Sequence, residues 1–206
     1  MLSTDDRVSF GDCTFAVWKN VYRPAEDSFL FAENLKVAEN SVVLDVGTGC
    51  GILGIIAAAS SARVVATDIN PIAVRCAKQN AQTNKVTPRM GFLQADLFAP
   101  IARKMKFDLV LFNAPYLPSE PGEDDSWLAK AWAGGVSGRQ IIDRFIRGVP
   151  QVLRRGARVL LMQSTLSGVQ ETFERLHVEG LKGRILAKQD LPFFETIMLV
   201  EARWEG

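Results

Sequence analysis

The most restrictive stretch of the chain runs from Val42 to Ser60. Val42-Val43-Leu44-Asp45-Val46 is an apolar, β-branched run, and Gly51 to Ser60 is apolar on every side. The pattern predicts a strand buried on both faces that turns at once into a buried helix, which belongs in a parallel sheet covered by helices. Asp45 stands near the tip of that strand, and Gly47, Gly49 and Gly51 fill the turn. Glycine at such a place lets the backbone approach a ligand closely and take up positive φ.

The same alternation continues downstream. Arg63 to Thr67 repeats the strand signal, and Asn70-Pro71 supplies an N-cap and a first-turn proline for a helix bearing Ile72, Ala73, Cys76, Ala77 and Ala81. Met90 to Leu93, Phe107 to Phe112 and Ala157 to Met162 read as further strands. Ser137 to Gln140 has the S-x-x-Q form of a capping box ahead of Ile141, Ile142, Phe145 and Val149. Ser167 to Gln170 repeats that form ahead of a helix with Val169, Phe173 and Leu176 inward, ended by Gly180. Arg184 to Lys188 and Glu195 to Ala202 close the chain as two β segments around Pro192. Too few residues join them for a helical crossover, so the last strand should run antiparallel. Strand alternating with helix gives parallel pairing and right-handed crossovers. The expected class is therefore an α/β three-layer sandwich with a mostly parallel sheet and ligands at the carboxyl ends of its strands.

Composition narrows the partners. With 206 residues, 48% of them apolar, the chain is long enough for one full core and reads as a single domain over 1–206. Twenty-four basic against 23 acidic side chains leave a formal charge of +1. No electrostatic excess is available to attract a phosphate backbone, so nucleic acid is a disfavoured partner. Cys13, Cys50 and Cys76 have no C-x-x-C spacing and are too few for a disulfide framework or a four-cysteine zinc site, which implies a reducing compartment. Met1 to Asp6 is acidic and lacks the apolar core of a secretory signal, and Ile52 to Ala59 is far short of the roughly 20 residues that span a bilayer. The expectation is a cytoplasmic protein with no membrane contact.

Two readings of the glycine turn compete. Gly49-Cys50-Gly51-Ile52-Leu53-Gly54 satisfies the dinucleotide fingerprint G-x-G-x-x-G, with the helix N-terminus free for pyrophosphate. In that case, however, the glycines come directly off the strand. Here Asp45 sits two residues before Gly47, where a carboxylate would repel a pyrophosphate but could accept a hydrogen bond from an ammonium. Asp45-Val46-Gly47-Thr48-Gly49-Cys50-Gly51 resembles motif I of S-adenosyl-L-methionine (AdoMet) methyltransferases. Asp68, 23 residues beyond Asp45, is placed to accept both ribose hydroxyls of either cofactor and does not choose between them. Asp96 falls after the next strand, where an adenine amino group would lie; the plainer alternative is a loop acid capping a turn. With Thr48, Ile69 and Leu97 beside these acids, this is the candidate cofactor end.

Asp108-Leu109-Val110-Leu111-Phe112-Asn113-Ala114-Pro115-Tyr116 puts an amide at the end of a buried strand, then a stiff turn, then an aromatic. Methyl transfer from a sulfonium needs no metal, but an amide or aryl amine has its lone pair delocalised. Accepting both of its N–H hydrogens orients the nitrogen and favours pyramidalisation as positive charge develops. Asn113 Oδ1 and the carbonyl of Ala114 would be those acceptors, with Tyr116 against the flat target; the competing view is an Asn-initiated turn. Asn113-Ala114-Pro115-Tyr116 resembles the Asn-Pro-Pro-Tyr signature of methyltransferases that act on glutamine amides and adenine amines. Ala114 departs from it, yet keeps the carbonyl, and Pro115 already biases its predecessor to the extended region.

The resemblance extends along most of the chain. Tyr22-Arg23-Pro24-Ala25-Glu26-Asp27-Ser28 and Ala131-Trp132-Ala133-Gly134-Gly135-Val136-Ser137-Gly138-Arg139 are similar to segments of the archaeal and eukaryotic HemK-like protein-glutamine methyltransferases. It implies a Rossmann-like class I methyltransferase with a seven-stranded sheet, and residues 1–40 as an N-terminal extension and lid without the helical substrate-recognition domain of bacterial relatives. It further implies that Tyr22, Asp27 and Ser28 fold over the cofactor, and that Trp132, Gly134 and Gly135 shape the substrate mouth. The implied reaction is N5-methylation of the Gly-Gly-Gln glutamine of a class 1 translation release factor. The implied partner is a small zinc-containing activator, which the apolar edge strand Arg89 to Leu93 would suit. Adenine methylation, lysine methylation, NAD-linked oxidoreduction and a non-catalytic binding subunit are the alternatives. His177 is expected to be a plain helix-end side chain. Glu120, Glu123, Asp124 and Asp125 read as a solvated loop rather than a metal or basic-peptide site, while Trp127 and Trp132 fit a hydrophobic lid and simple packing equally.

Overall fold

The computed structural model describes residues 6–99, 101, 104–123 and 125–206. In chain order the elements are β1 (Arg7–Phe10), β2 (Cys13–Ala16), α1 (Glu26–Glu33), β3 (Val42–Val46), α2 (Ile52–Ala59), β4 (Arg63–Asp68), α3 (Pro71–Thr83) and β5 (Met90–Gln94). Then follow β6 (Phe107–Asn113), α4 (Gln140–Gly148), β7 (Leu153–Ser164), α5 (Val169–Val178), β8 (Leu181–Asp190) and β9 (Thr196–Trp204). Among the described residues the main sheet has seven strands in the order β5-β4-β3-β6-β7-β9-β8. The neighbours from β5 through β7 pair in parallel, whereas β9 is antiparallel to both β7 and β8. The antiparallel last strand follows from its short connection, and its insertion beside β7 separates this sheet from an all-parallel dinucleotide fold.

Period-two alternation along the strands divides the core into two layers. Val43, Leu109, Leu111, Leu160, Met162, Ile197 and Leu199 face α1, α2 and α3. Their neighbours Leu44, Val110, Phe112, Val159, Leu161 and Val200 face α4 and α5. Phe145 of α4 stacks on Phe112 with ring centroids 4.5 Å apart. No helix among the described residues is long and apolar enough to cross a membrane.

Asn70 caps α3 as its sequence predicts, its side chain accepting from Ile72 N at 2.9 Å. Neither S-x-x-Q box forms. α4 begins after Arg139 and α5 after Gly168, with no side-chain cap at either. Gly138 and Gly168 hold φ of 70° and 64° inside the two boxes and turn the chain before the serine can reach the helix. Arg139 instead binds the carbonyls of Ser167 and Gly168 and the hydroxyl of Thr172, which ties the starts of the two helices together.

The β1–β2 hairpin was not visible as a periodic signal. It turns through Gly11 and Asp12, with Phe10 opposite Cys13, and it docks on α3 through side chains rather than through a strand. Asn84 accepts from Thr14 N at 3.0 Å and donates to Thr14 O at 2.8 Å. One helical turn earlier, Asn80 accepts from Ala16 N and donates to Ala16 O, both at 2.9 Å. Two amides four residues apart on one helix face thus match alternate residues of a strand. Asn80 also donates to the Cys50 carbonyl at 2.8 Å, inside the glycine turn.

Candidate functional site

The carboxyl ends of β3, β4 and β6 open into a cavity of about 830 Å³. Asp45, 1% exposed, accepts through Oδ2 from Thr48 Oγ1 at 2.6 Å and from Gly54 N at 3.0 Å. It therefore braces the turn and the first residues of α2. A Cβ on Gly54 would lie 2.7 Å from that same oxygen, so only glycine lets helix and carboxylate meet. Burial pushes the Asp45 carboxyl up to about 7; the bonds from Thr48 and Gly54 oppose the shift and the charge of Asp68 adds to it.

Asp68 accepts from Gly49 N through Oδ2 and from Asn70 N through Oδ1, both at 2.9 Å. Each oxygen keeps a second acceptor direction. Burial raises the Asp68 carboxyl above its ordinary range, against the backbone N–H groups of Asn70, Gly49 and Ile69. Ile69 lies on the same wall with 42% of its surface exposed, and Leu97 holds a left-handed φ of 49°. Asp96, next to it, pairs with Arg144 Nη2 at 2.7 Å. Gly47, Thr48 and Gly49 line the cavity. Gly51 stands behind it, where a Cβ would come within 3.2 Å of Ala77 and its φ is 93°.

At the tip of β6 its last residue, Asn113, meets α1. Its Nδ2 donates to Asp27 Oδ2 at 3.0 Å and to Ser28 Oγ at 3.2 Å. Asp27 also accepts from Tyr22 Oη at 3.2 Å on both oxygens and from Ser28 N at 2.6 Å. Asp27 is the acceptor in each of its bonds, so it orients the amide with its NH₂ toward α1. The opposite atom, Asn113 Oδ1, is buried and has no partner among the described residues. Burial raises the phenols of both Tyr22 and Tyr116, and the charge of Asp27 raises them further.

Ala114 and Pro115 are buried and Tyr116 half-buried, and all three line the cavity together with Trp127 and Trp132. Gly134 and Gly135 are not on the cavity surface. A Cβ on Gly134 would meet Gly138 O at 2.5 Å and one on Gly135 would meet Gln140 Cδ at 2.3 Å, so the pair lets the 132–140 loop fold tightly behind the wall. Gln140 and Arg144, which sequence reasoning did not single out, both line the cavity. Their signal was present: polar residues four apart on an amphipathic helix that opens directly behind the loop. His177 is exposed near the end of α5, and Glu123 Oε2 accepts from Glu120 N at 2.8 Å as a turn acid does. Asp124 lies outside the described residues, among which no metal-binding cluster occurs.

The methyltransferase small domain family model matches residues 22–127. A Methanocaldococcus jannaschii protein whose name is that of a protein N5-glutamine methyltransferase is 44% identical over 184 residues, 88% of this chain and 91% of that one. Mouse methyltransferase HEMK2 is 32% identical over 185 residues, 84% of this chain and 86% of its own. Among solved structures, the E. cuniculi Mtq2-Trm112 complex, responsible for methylation of the eRF1 translation termination factor, matches with a TM-score of 0.71 and 26% identity. That match covers 90% of this chain and 99% of that chain. The chain belongs to the methyltransferase small domain family and, within it, to the HemK-like protein-glutamine methyltransferases.

Proposed function

We propose that the protein methylates the side-chain amide nitrogen of a glutamine, the one in the Gly-Gly-Gln motif of a class 1 translation termination factor, with AdoMet as donor. The observation that carries this reading is Asn113 Oδ1, a buried acceptor left without a partner because Asp27 and Ser28 hold the other end of the amide. Asn113 Oδ1 and the Ala114 carbonyl accept the two amide hydrogens of the target, and Tyr116 and Pro115 confine its plane. AdoMet, when bound, supplies an electrophilic methyl carbon on a sulfonium. The residues present fit it: Asp45 for its ammonium, the backbone of Gly47, Thr48 and Gly49 for close approach, Asp68 for the ribose, and Ile69, Asp96 and Leu97 for the adenine. Gly51 keeps the turn in shape from behind. Tyr22, Asp27 and Ser28 cover the methyl-donor side, so that residues 1–40 serve as extension and lid of one domain. Trp132 and the loop closed by Gly134 and Gly135 bound the mouth.

A small zinc-containing activator adds to the edge strand Arg89 to Leu93. β5 ends the sheet, with Gly91 and Leu93 exposed, which leaves an unpaired row of backbone groups. The structural relative Mtq2 was solved with the partner Trm112. Mass spectrometry of the matching termination factor, incubated with AdoMet, this chain and that partner, should find one methyl on the Gly-Gly-Gln glutamine. An unmodified glutamine alongside methylated adenine in a nucleic-acid control would replace this reading with the adenine one.

A further inference from the structure

The turn between β8 and β9 breaks two local rules at once. Phe193 and Phe194 are 96% and 103% exposed, and both hold left-handed φ, 63° and 64°. Bulky residues rarely adopt that conformation, and two adjacent phenylalanines rarely stand wholly in water. The turn is nevertheless firmly built. Leu191 N donates to Glu195 O at 2.8 Å and closes it, Leu191 packs against the core layer beneath α1, and Thr196 N donates to Thr165 Oγ1 at 3.1 Å. Strain that the surroundings hold in place, combined with exposed rings, marks a surface kept for use.

The turn also lies at the cavity end of the sheet. Ile197 pairs with Ser164 at the carboxyl end of β7, and Glu195 is near enough for its charge to act on the phenols of Tyr22 and Tyr116. On the reading of the site given above, we propose that Phe193 and Phe194 are a docking point for the substrate protein, receiving its apolar side chains beside the segment that enters the cavity. Exposed rings can also stack nucleobases, but such platforms join aromatics to a cationic groove. Here Asp190 and Glu195 flank the pair, and no basic residue occurs between Lys188 and Arg203. That local charge repels phosphate and leaves a polypeptide as the occupant. Aromatic anchors of this kind give large contact area at small entropic cost.

The double variant Phe193→Ala/Phe194→Ala, assayed with AdoMet, the activator partner and the intact termination factor, should lose about tenfold or more in kcat/KM, almost all of it in KM. Its AdoMet affinity and saturated kcat should stay within about twofold. Phe193→Gly/Phe194→Gly, which keeps the left-handed backbone without strain, should behave alike and guards against a rearranged turn. Unchanged kcat/KM in both variants, a loss confined to kcat, or an RNA crosslink that both variants abolish would overturn the docking point alone. A wild-type chain that leaves the glutamine unmodified overturns the site reading and this inference together.

Discussion

Asn113 was legible as a residue but not as a geometry. An amide at the end of a buried strand, followed by Pro115 and Tyr116, already points to planar-nitrogen chemistry, whereas its orientation depends on Asp27, 86 positions away in the chain. Replacing Asn113 by Ala should lower turnover by about a hundredfold or more with near-normal AdoMet affinity, measured by single-turnover methyl transfer and calorimetry. Asp27→Asn can donate as well as accept, so it no longer dictates which end of Asn113 faces the cavity, and turnover should fall by about tenfold or more. Asp45 adds a pH dependence. Its folded pKa of about 7 lies above the ordinary carboxylate value, so the free protein loses stability as pH rises from that ordinary value through about 7. A bound ammonium favours the ionised form, and AdoMet affinity should climb over the same window. Calorimetry should show that slope in the wild type and a shallower one in Asp45→Asn, where only Asp68 keeps a raised carboxyl; equal slopes would remove Asp45 from cofactor binding.

At the scale of elements, apolar periodicity located the seven strands of the main sheet and the helices α2 to α5, because burial selects for it, but it did not mark α1. Apart from the Asn70 cap, contacts made by polar side chains were not legible. The two capping boxes match in letters, yet Gly138 and Gly168 bend the chain inside them. The β1–β2 hairpin buries Val8 and Phe15 in the core, but it is also pinned by Asn80 of α3 and Asn84 at the C-cap of that helix, which look like ordinary helix-surface residues in the sequence. Asn84→Ala deletes both bonds to Thr14 and leaves a half-buried backbone pair unmatched. Stability should drop by about 1–3 kcal/mol in denaturant unfolding, well beyond what an exposed Asn→Ala change in a helix gives. No change would mean that the hairpin docks through its apolar side chains alone.

For the molecule as a whole, alternating strand and helix signals with one short final connection were enough to give the sheet, its antiparallel strand and the end at which the cavity opens. They could not give the way distant parts share a side chain. Asn80 grips Ala16 of the hairpin with one hand and the Cys50 carbonyl of the glycine turn with the other. The hairpin cannot peel away without disturbing the turn that would receive AdoMet, so occupancy of the turn and closure of the hairpin are thermodynamically linked. AdoMet should then slow amide hydrogen exchange in residues 13–16, although none of them lines the cavity. Exchange measured by mass spectrometry with and without the ligand reads that coupling directly, and in Asn80→Ala the protection should vanish from the hairpin while persisting in the glycine turn.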